Sequence, residues 1–168
     1  MPYNRFRQLL SLLYFVEDDE NSTDKLHKIR PVLEALTENF QKAYRPGENI
    51  CIDESLVPWK GRLHFKQFNP LKRSRFGIKL FVFCESKTGY VYDIETYVGN
   101  ENDTNYVNKG IGKSGSVVKR LLGDLSGQGR SLHIDNWYTS PLLCKQLVDE
   151  KTNVCGTVRI NRKYMPKV

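Results

Sequence analysis

Between positions 77 and 85 the chain reads Gly-Ile-Lys-Leu-Phe-Val-Phe-Cys-Glu, a run dense in β-branched and aromatic residues. Successive strand side chains point to opposite faces, so Ile78, Leu80, Val82 and Cys84 share one face and Phe81 and Phe83 the other. A strand that is apolar on both faces is expected to be covered on both sides, and that calls for a layered fold. Residues 49–56 and 90–98 also read as strands. The second of these follows the turn-forming cluster Ser86-Lys87-Thr88-Gly89, so the three predicted strands make an antiparallel meander.

The rhythm differs on either side of this meander. Upstream, residues 3–15 place Phe6, Leu9, Leu10 and Leu13 on one helical stripe, ahead of an acidic turn at 17–20. Residues 31–43 repeat the pattern with Val32, Leu33, Leu36 and Phe40; Pro31 suits the first helical position and Pro46-Gly47 ends the helix. Downstream, helix and strand alternate: a helix over 116–125, a strand over 131–134, a helix with Ser140 as N-cap and Pro141 at its first position, and a strand over 153–158. Three antiparallel strands followed by helix, strand, helix, strand is the order of an RNase H-like fold, an α/β class with a mixed sheet and helices on its faces. The 168 residues suit one domain, with 1–46 a helical lead-in and 47–168 a partial RNase H-like core. In that order the first and fourth strands lie side by side.

Charge is distributed unevenly. From Val57 to Cys84 the chain carries Lys60, Arg62, Lys66, Lys72, Arg73, Arg75 and Lys79 and no acidic residue, so this segment accounts for the whole net charge of +7. Interleaved with Trp59, Phe65, Phe68 and Phe76, it suits a surface that tracks a phosphate backbone. A solvated basic face with its aromatics turned to the core has the same composition.

Two aspartates stand out: Asp53 inside the first predicted strand, and Asp135 directly after Leu132-His133-Ile134. Adjacent first and fourth strands would bring them together at one end of the sheet. Paired carboxylates repel, and a hard divalent cation with oxygen ligands relieves that repulsion. Either residue alone also fits a strand-end carboxylate bonded to backbone amides.

Other chemistries fit poorly. Gly112-Lys113-Ser114 resembles the end of a phosphate-binding loop, but the glycine required five residues earlier is Val107, and the segment reads as a flexible loop. His27, His64 and His133 are dispersed, and no G-x-S-x-G nucleophile elbow is present. Cys51, Cys84, Cys144 and Cys155 contain no C-x-x-C pair and read as reduced, mostly buried small hydrophobes. The N-x-T triplets at Asn21 and Asn102 are chance matches in a chain without a secretory signal, which implies an intracellular setting. No apolar run approaches the roughly 18 residues of a membrane span, so membrane insertion is not expected.

A joint resemblance decides among the remaining options. Asn4-Arg5-Phe6, Lys28-Ile29-Arg30-Pro31, the block Asp53-Glu54-Ser55-Leu56-Val57-Pro58-Trp59-Lys60-Gly61-Arg62, Asn69-Pro70-Leu71-Lys72, Gly77-Ile78-Lys79, Thr88-Gly89-Tyr90, Asp135-Asn136-Trp137-Tyr138-Thr139-Ser140 and Gly156-Thr157-Val158-Arg159-Ile160-Asn161-Arg162 resemble the piggyBac transposase family in order and spacing. The resemblance implies that Asp53 and Asp135, 82 residues apart, are the first two members of a catalytic, metal-binding acidic triad. It implies Mg²⁺ or Mn²⁺ as cofactor, cleavage and transfer of DNA strands at TTAA sites, and a nuclear setting. The implied partners are double-stranded transposon ends and target DNA beside Lys60, Arg62, Lys66, Lys72, Arg73, Arg75 and Lys79, with a homodimer in the full-length family protein.

The family's third carboxylate lies beyond its last strand, whereas this chain extends 33 residues past Asp135. Asp149 and Glu150, on the helix between the last two predicted strands, are poor substitutes. The reading is therefore a transposase core fragment with a weak or unfilled metal site. Its alternative is a domesticated or degenerate fragment, catalytically inactive, that at most binds DNA.

Overall fold

The structure is a computed structural model and describes residues 1–17, 19, 22–70, 72–99 and 110–166. Asn21, Asn102, Val107, Leu71 of the Asn69–Lys72 segment, and Asp18 and Glu20 of the predicted acidic turn lie outside the described residues. The chain forms two units, Met1–Asn39 and Phe40–Val168.

In the first unit, α1 (Tyr3–Ser11) is followed by a 3-10 turn, His27–Ile29, that leads into α2 (Arg30–Ala43), whose last residues belong to the second unit. The helix predicted to reach residue 15 stops at Ser11, whose Oγ donates to the Gln8 carbonyl at 2.8 Å. No residue of α1 is buried, so packing does not hold its last turn. Asp24 organises the start of α2. Its carboxylate accepts from the Leu26 amide at 2.9 Å and takes both Nε and Nη2 of Arg30 at 2.8 Å. That guanidinium holds the Asp24 carboxyl down at about 2. The helix accordingly begins at Arg30, one residue before Pro31.

The second unit is built on a mixed sheet. Its strands are β1 (Asn49–Pro58), β2 (Gln67–Phe68), β3 (Phe76–Glu85), β4 (Val91–Thr96), β5 (Ser131–Ile134) and β6 (Asn153–Gly156). β1 is central. It runs antiparallel to β3 from Ile50↔Glu85 to Pro58↔Gly77, and parallel to β5 from Asn49↔Ser131 to Ile52↔Ile134. β6 continues the parallel half beside β5. The other edge of β3 takes β4 over Leu80–Cys84 and the two-residue β2 at Phe76 and Gly77. Among the described residues the sheet thus has six strands where the sequence pattern predicts five, because β2 is too short to leave an alternating signal.

Helices α3 (Gly112–Leu122) and α4 (Pro141–Asp149) supply the apolar partners of one sheet face. Ile50, Ile52, Phe81, Phe83, Leu132 and Ile134 are buried there together with Val117, Val118, Leu121, Leu122, Leu143 and Leu147. The expectation that β3 is covered on both sides holds for its phenylalanine face, while Ile78, Leu80, Val82 and Cys84 are half-buried. The last helix starts as its residues predict: Ser140 Oγ accepts from the Leu143 amide at 3.3 Å and Pro141 occupies the first turn.

Three predicted features are corrected. The segment read as a flexible loop becomes the first turn of α3 from Gly112 onward, four residues ahead of the predicted start. Low glycine propensity hides that turn, and packing overrides it: a Cβ on Gly115 would lie 2.9 Å from that of Ile111. The final strand ends at Gly156 instead of residue 158. The cysteines are less buried than expected, three being half-buried and Cys155 exposed. No helix of the described residues is long and apolar enough to cross a membrane.

Candidate active site and nucleic-acid interface

The parallel pairing of β1 and β5 ends at Ile52↔Ile134, and both isoleucines are buried. One residue further along, Asp53 and Asp135 leave the core together at the same end of neighbouring strands, which lie about 4.8 Å apart. Both are exposed. Asp53 Oδ1 accepts from the Glu54 amide at 2.7 Å and Asp135 Oδ1 from the Trp137 amide at 2.8 Å, which leaves each carboxylate a second oxygen. Among the described residues neither has a basic ion-pair partner.

The turn after β5 is held tightly. Thr139 donates to the Asp135 carbonyl from its amide at 3.1 Å and from Oγ1 at 2.7 Å. Arg162 reaches back to this turn. Its Nη2 donates to the carbonyls of Asn136 at 2.8 Å and Trp137 at 2.5 Å, and its Nε to that of Thr139 at 3.1 Å. Gly156 on β6 admits the same close approach, since a Cβ there would stand 2.2 Å from the Ile134 carbonyl oxygen.

Beneath the pair, Glu54 points to the opposite face and forms an ion pair with Lys79 of β3. Lys79 Nζ stands 4.5 Å from the ring centroid of Trp137 and 4.9 Å from that of Phe81, and the two rings stack at 5.6 Å. Tyr138 is fully buried with its hydroxyl unpaired among the described residues. Burial, followed by the charges of Glu54, Asp53 and Asp135, drives that phenol far above its ordinary range. On the other face, burial, the adjoining Cys51 thiol and the Asp53 charge push the Cys84 thiol up to about 12.

These observations test the site against a divalent cation. The donors are hard oxygens at the same end of adjacent strands, and their negative charge bears on Tyr138 and Cys84. The pair fits as two ligands of one ion, with water or substrate oxygens completing its shell. Among the described residues no cluster of three His, Cys, Asp or Glu forms a complete cage. Glu150 is engaged elsewhere, accepting from Lys119 Nζ at 2.5 Å and Ser126 Oγ at 3.0 Å.

The basic segment lies beyond the same end of β1. Pro58 is five residues past Asp53, about 17 Å of extended chain. Lys60, Arg62, Lys72, Arg73 and Arg75 are exposed and carry no ion pair among the described residues. Lys66 donates to the Gly61 carbonyl at 3.2 Å and lies 5.4 Å from the Phe76 ring centroid. Lys79 is set apart from this group, half-buried against Glu54 and Trp137. Of the four interleaved aromatics only Phe65 turns inward; Trp59, Phe68 and Phe76 are exposed. Alternation already puts Lys79 on the Phe81 face, a signal the charge count obscures. Tyr138 and Arg162 leave no local pattern, because their roles depend on contacts 23 or more residues away.

Known proteins are similar to this chain in sequence and in fold. A family model described as Transposase IS4 matches residues 1–168. The chain is 32% identical over 167 residues to human PiggyBac transposable element-derived protein 3, covering 95% of this chain and 27% of that protein. It is 27% identical over 160 residues to human PiggyBac transposable element-derived protein 2, covering 93% of this chain and 26% of that protein. A solved cryo-EM structure of a piggyBac transposase synaptic complex with hairpin DNA superposes with a TM-score of 0.86 at 31% identity, over 99% of this chain and 35% of that one. The chain therefore spans about a quarter of the length of these curated relatives.

Proposed function

This chain belongs to the piggyBac transposase family, and on that premise we propose that it supplies two carboxylates and a DNA-tracking surface to metal-dependent cleavage and transfer of DNA strands at TTAA sites. The observation that carries this reading is the β1–β5 register, which sets Asp53 beside Asp135 at the end of the sheet from which the basic segment departs. The strand order β4-β3-β1-β5-β6 is the one expected of an RNase H-like core. The second oxygens of Asp53 and Asp135 would hold Mg²⁺ or Mn²⁺. The chemistry such an ion would supply there is polarisation of a phosphoryl oxygen and acidification of an attacking hydroxyl.

The chain's own residues orient this arrangement. The amides of Glu54 and Trp137 fix one oxygen of each carboxylate, and Arg162 braces the turn that carries Asp135. Lys60, Arg62, Lys72, Arg73 and Arg75 would run along the phosphate backbone, with Trp59, Phe68 and Phe76 offering exposed rings among them. A chromosomal DNA substrate of this kind would be met in the nucleus.

A second reading is DNA binding without cleavage, and the lack of a third clustered carboxylate among the described residues favours it for these 168 residues by themselves. One experiment separates the two. Manganese binding is followed by electron paramagnetic resonance, alongside nicking of terminal transposon DNA, in the wild-type chain and Asp53→Ala. Manganese binding lost in Asp53→Ala supports the metal site, and nicking lost with it establishes cleavage by this chain. Equal manganese binding in both chains refutes the site.

A further inference from the structure

Opposite the core, the half-buried face of the sheet carries a feature that strand transfer does not use. Cys51 of β1 and Cys84 of β3 are direct partners in the antiparallel ladder, and their Sγ atoms lie 3.1 Å apart. Both are free and half-buried. Antiparallel partners hold their Cα atoms about 4.5 or 5.5 Å apart, depending on the kind of pair. Either spacing falls inside the roughly 4.4–6.8 Å that a disulfide spans. The backbone is therefore already placed, and closing the bond to about 2.05 Å takes a side-chain movement of about 1 Å. Cys144 on α4 and Cys155 on β6 have no thiol partner among the described residues.

We infer that Cys51 and Cys84 form a redox couple that an oxidised thiol of the glutathione class closes into a cross-strand disulfide. The chemistry is two successive exchanges. One cysteine, as its thiolate, attacks a sulfur of oxidised glutathione and forms a mixed disulfide, and the departing glutathione thiolate takes up the proton released. The second cysteine then loses its proton and displaces the remaining glutathione. Two protein thiols are oxidised and one glutathione disulfide is reduced to two thiols. Excess reduced glutathione runs the same two exchanges backwards, so the step is reversible. Cys51 lies two residues before Asp53, so the closed bond would tie β1 to β3 on the same strand face as that carboxylate.

The test is to incubate the chain with oxidised glutathione, quench with acid, alkylate the remaining thiols and map the peptides by mass spectrometry. The expected product is one intramolecular crosslink joining the peptides of Cys51 and Cys84, reversed by excess reduced glutathione, with Cys144 and Cys155 recovered alkylated. Full alkylation of all four cysteines, or stable glutathione adducts on both Cys51 and Cys84, would overturn the inference. In Cys84→Ser, Cys51 is expected to form no crosslink. A bond from Cys51 to Cys144 or Cys155 in that variant would show that proximity on the ladder is not what selects the pair. The wild-type measurement needs no variant to fold.

Discussion

The Nζ of Lys79 lies 4.5 Å from the ring centroid of Trp137, which joins the strand next to Asp53 to the turn that carries Asp135. The same ammonium pairs with Glu54, so one half-buried cation is shared by a carboxylate and two stacked rings. A desolvated cation–π contact contributes about 1–2 kcal/mol, and removing the cation also leaves Glu54 without its partner. Lys79→Met is expected to lower the unfolding free energy by about 1–3 kcal/mol. Urea titration of the variant and of Glu54→Gln/Lys79→Met checks this. The double variant should recover part of the loss, and no recovery would mean that Glu54 and Lys79 act independently.

Tyr138 offers the opposite sign. Its hydroxyl is buried and unpaired among the described residues, so folding strips it of water without a replacement bond. Tyr138→Phe removes the polar atom and keeps the ring contacts with Phe81 and Trp137. Stability should rise by about 1 kcal/mol, read as a higher melting temperature. A fall of that size would reveal a hydrogen bond the hydroxyl makes in solution.

Arg162 donates to three carbonyl oxygens of a turn more than twenty residues upstream. Arg162→Ala should speed amide hydrogen exchange across residues 136–140 while leaving β1 and β3 protected. A cost of about 1–3 kcal/mol is expected for the orphaned carbonyls. Uniform acceleration throughout the sheet would point to global destabilisation instead of a released turn.

DNA affinity should reside in the exposed cations of the basic segment. Reversing Arg62, Lys72 and Arg75 to Glu is expected to weaken binding to any duplex sequence. It should also flatten the slope of log affinity against log salt by about 3, close to 0.9 per phosphate contact. Gel-shift titration at several salt concentrations measures both, and an unchanged slope would move the interface elsewhere.

Glu85 sets an acid limit. Its carboxylate accepts from Thr88 Oγ1 at 2.6 Å, the Gly47 amide at 2.8 Å and the Tyr44 hydroxyl at 2.8 Å, and these bonds lower its pKa from the ordinary 4.5. A carboxylate lowered by folding stabilises the native state above its unfolded pKa and loses that contribution as pH falls through the folded one. The melting temperatures of wild type and Glu85→Gln should therefore differ at neutral pH, and the difference should shrink as pH falls below 4.5. Parallel curves down to pH 3 would remove the assignment.

Much of this arrangement was legible in the residues. The four-residue strand ending at Ile134, the aspartate after it and the Ser140-Pro141 helix start carry local signals that survive folding intact. So does the alternation of residues 78–84. Packing decides the rest: α3 keeps Gly115 despite its low helix propensity because a Cβ there would crowd Ile111, and β2 exists only as an edge partner of Phe76 and Gly77. Charge counting groups Lys79 with the surface cations because it ignores the pleat. The resemblance to transposases points to Asp53 and Asp135, but it says nothing of the Cys51–Cys84 contact, which the strand register makes visible.

The central position of β1 also bears on the order of assembly. Its antiparallel side pairs with β3, Asp53 being opposite Val82, only 29 positions on, whereas its parallel side pairs with β5, about eighty positions on. Loop closure makes distant pairings the slower ones, so the β1–β3 ribbon is expected to nucleate and β5 to dock late, after α3 has formed. The two aspartates then become neighbours only once β5 has docked beside β1, and a chain emerging from the ribosome carries Asp53 well before Asp135 exists to meet it. A partly folded chain would hold its two carboxylates apart until that parallel pairing has formed.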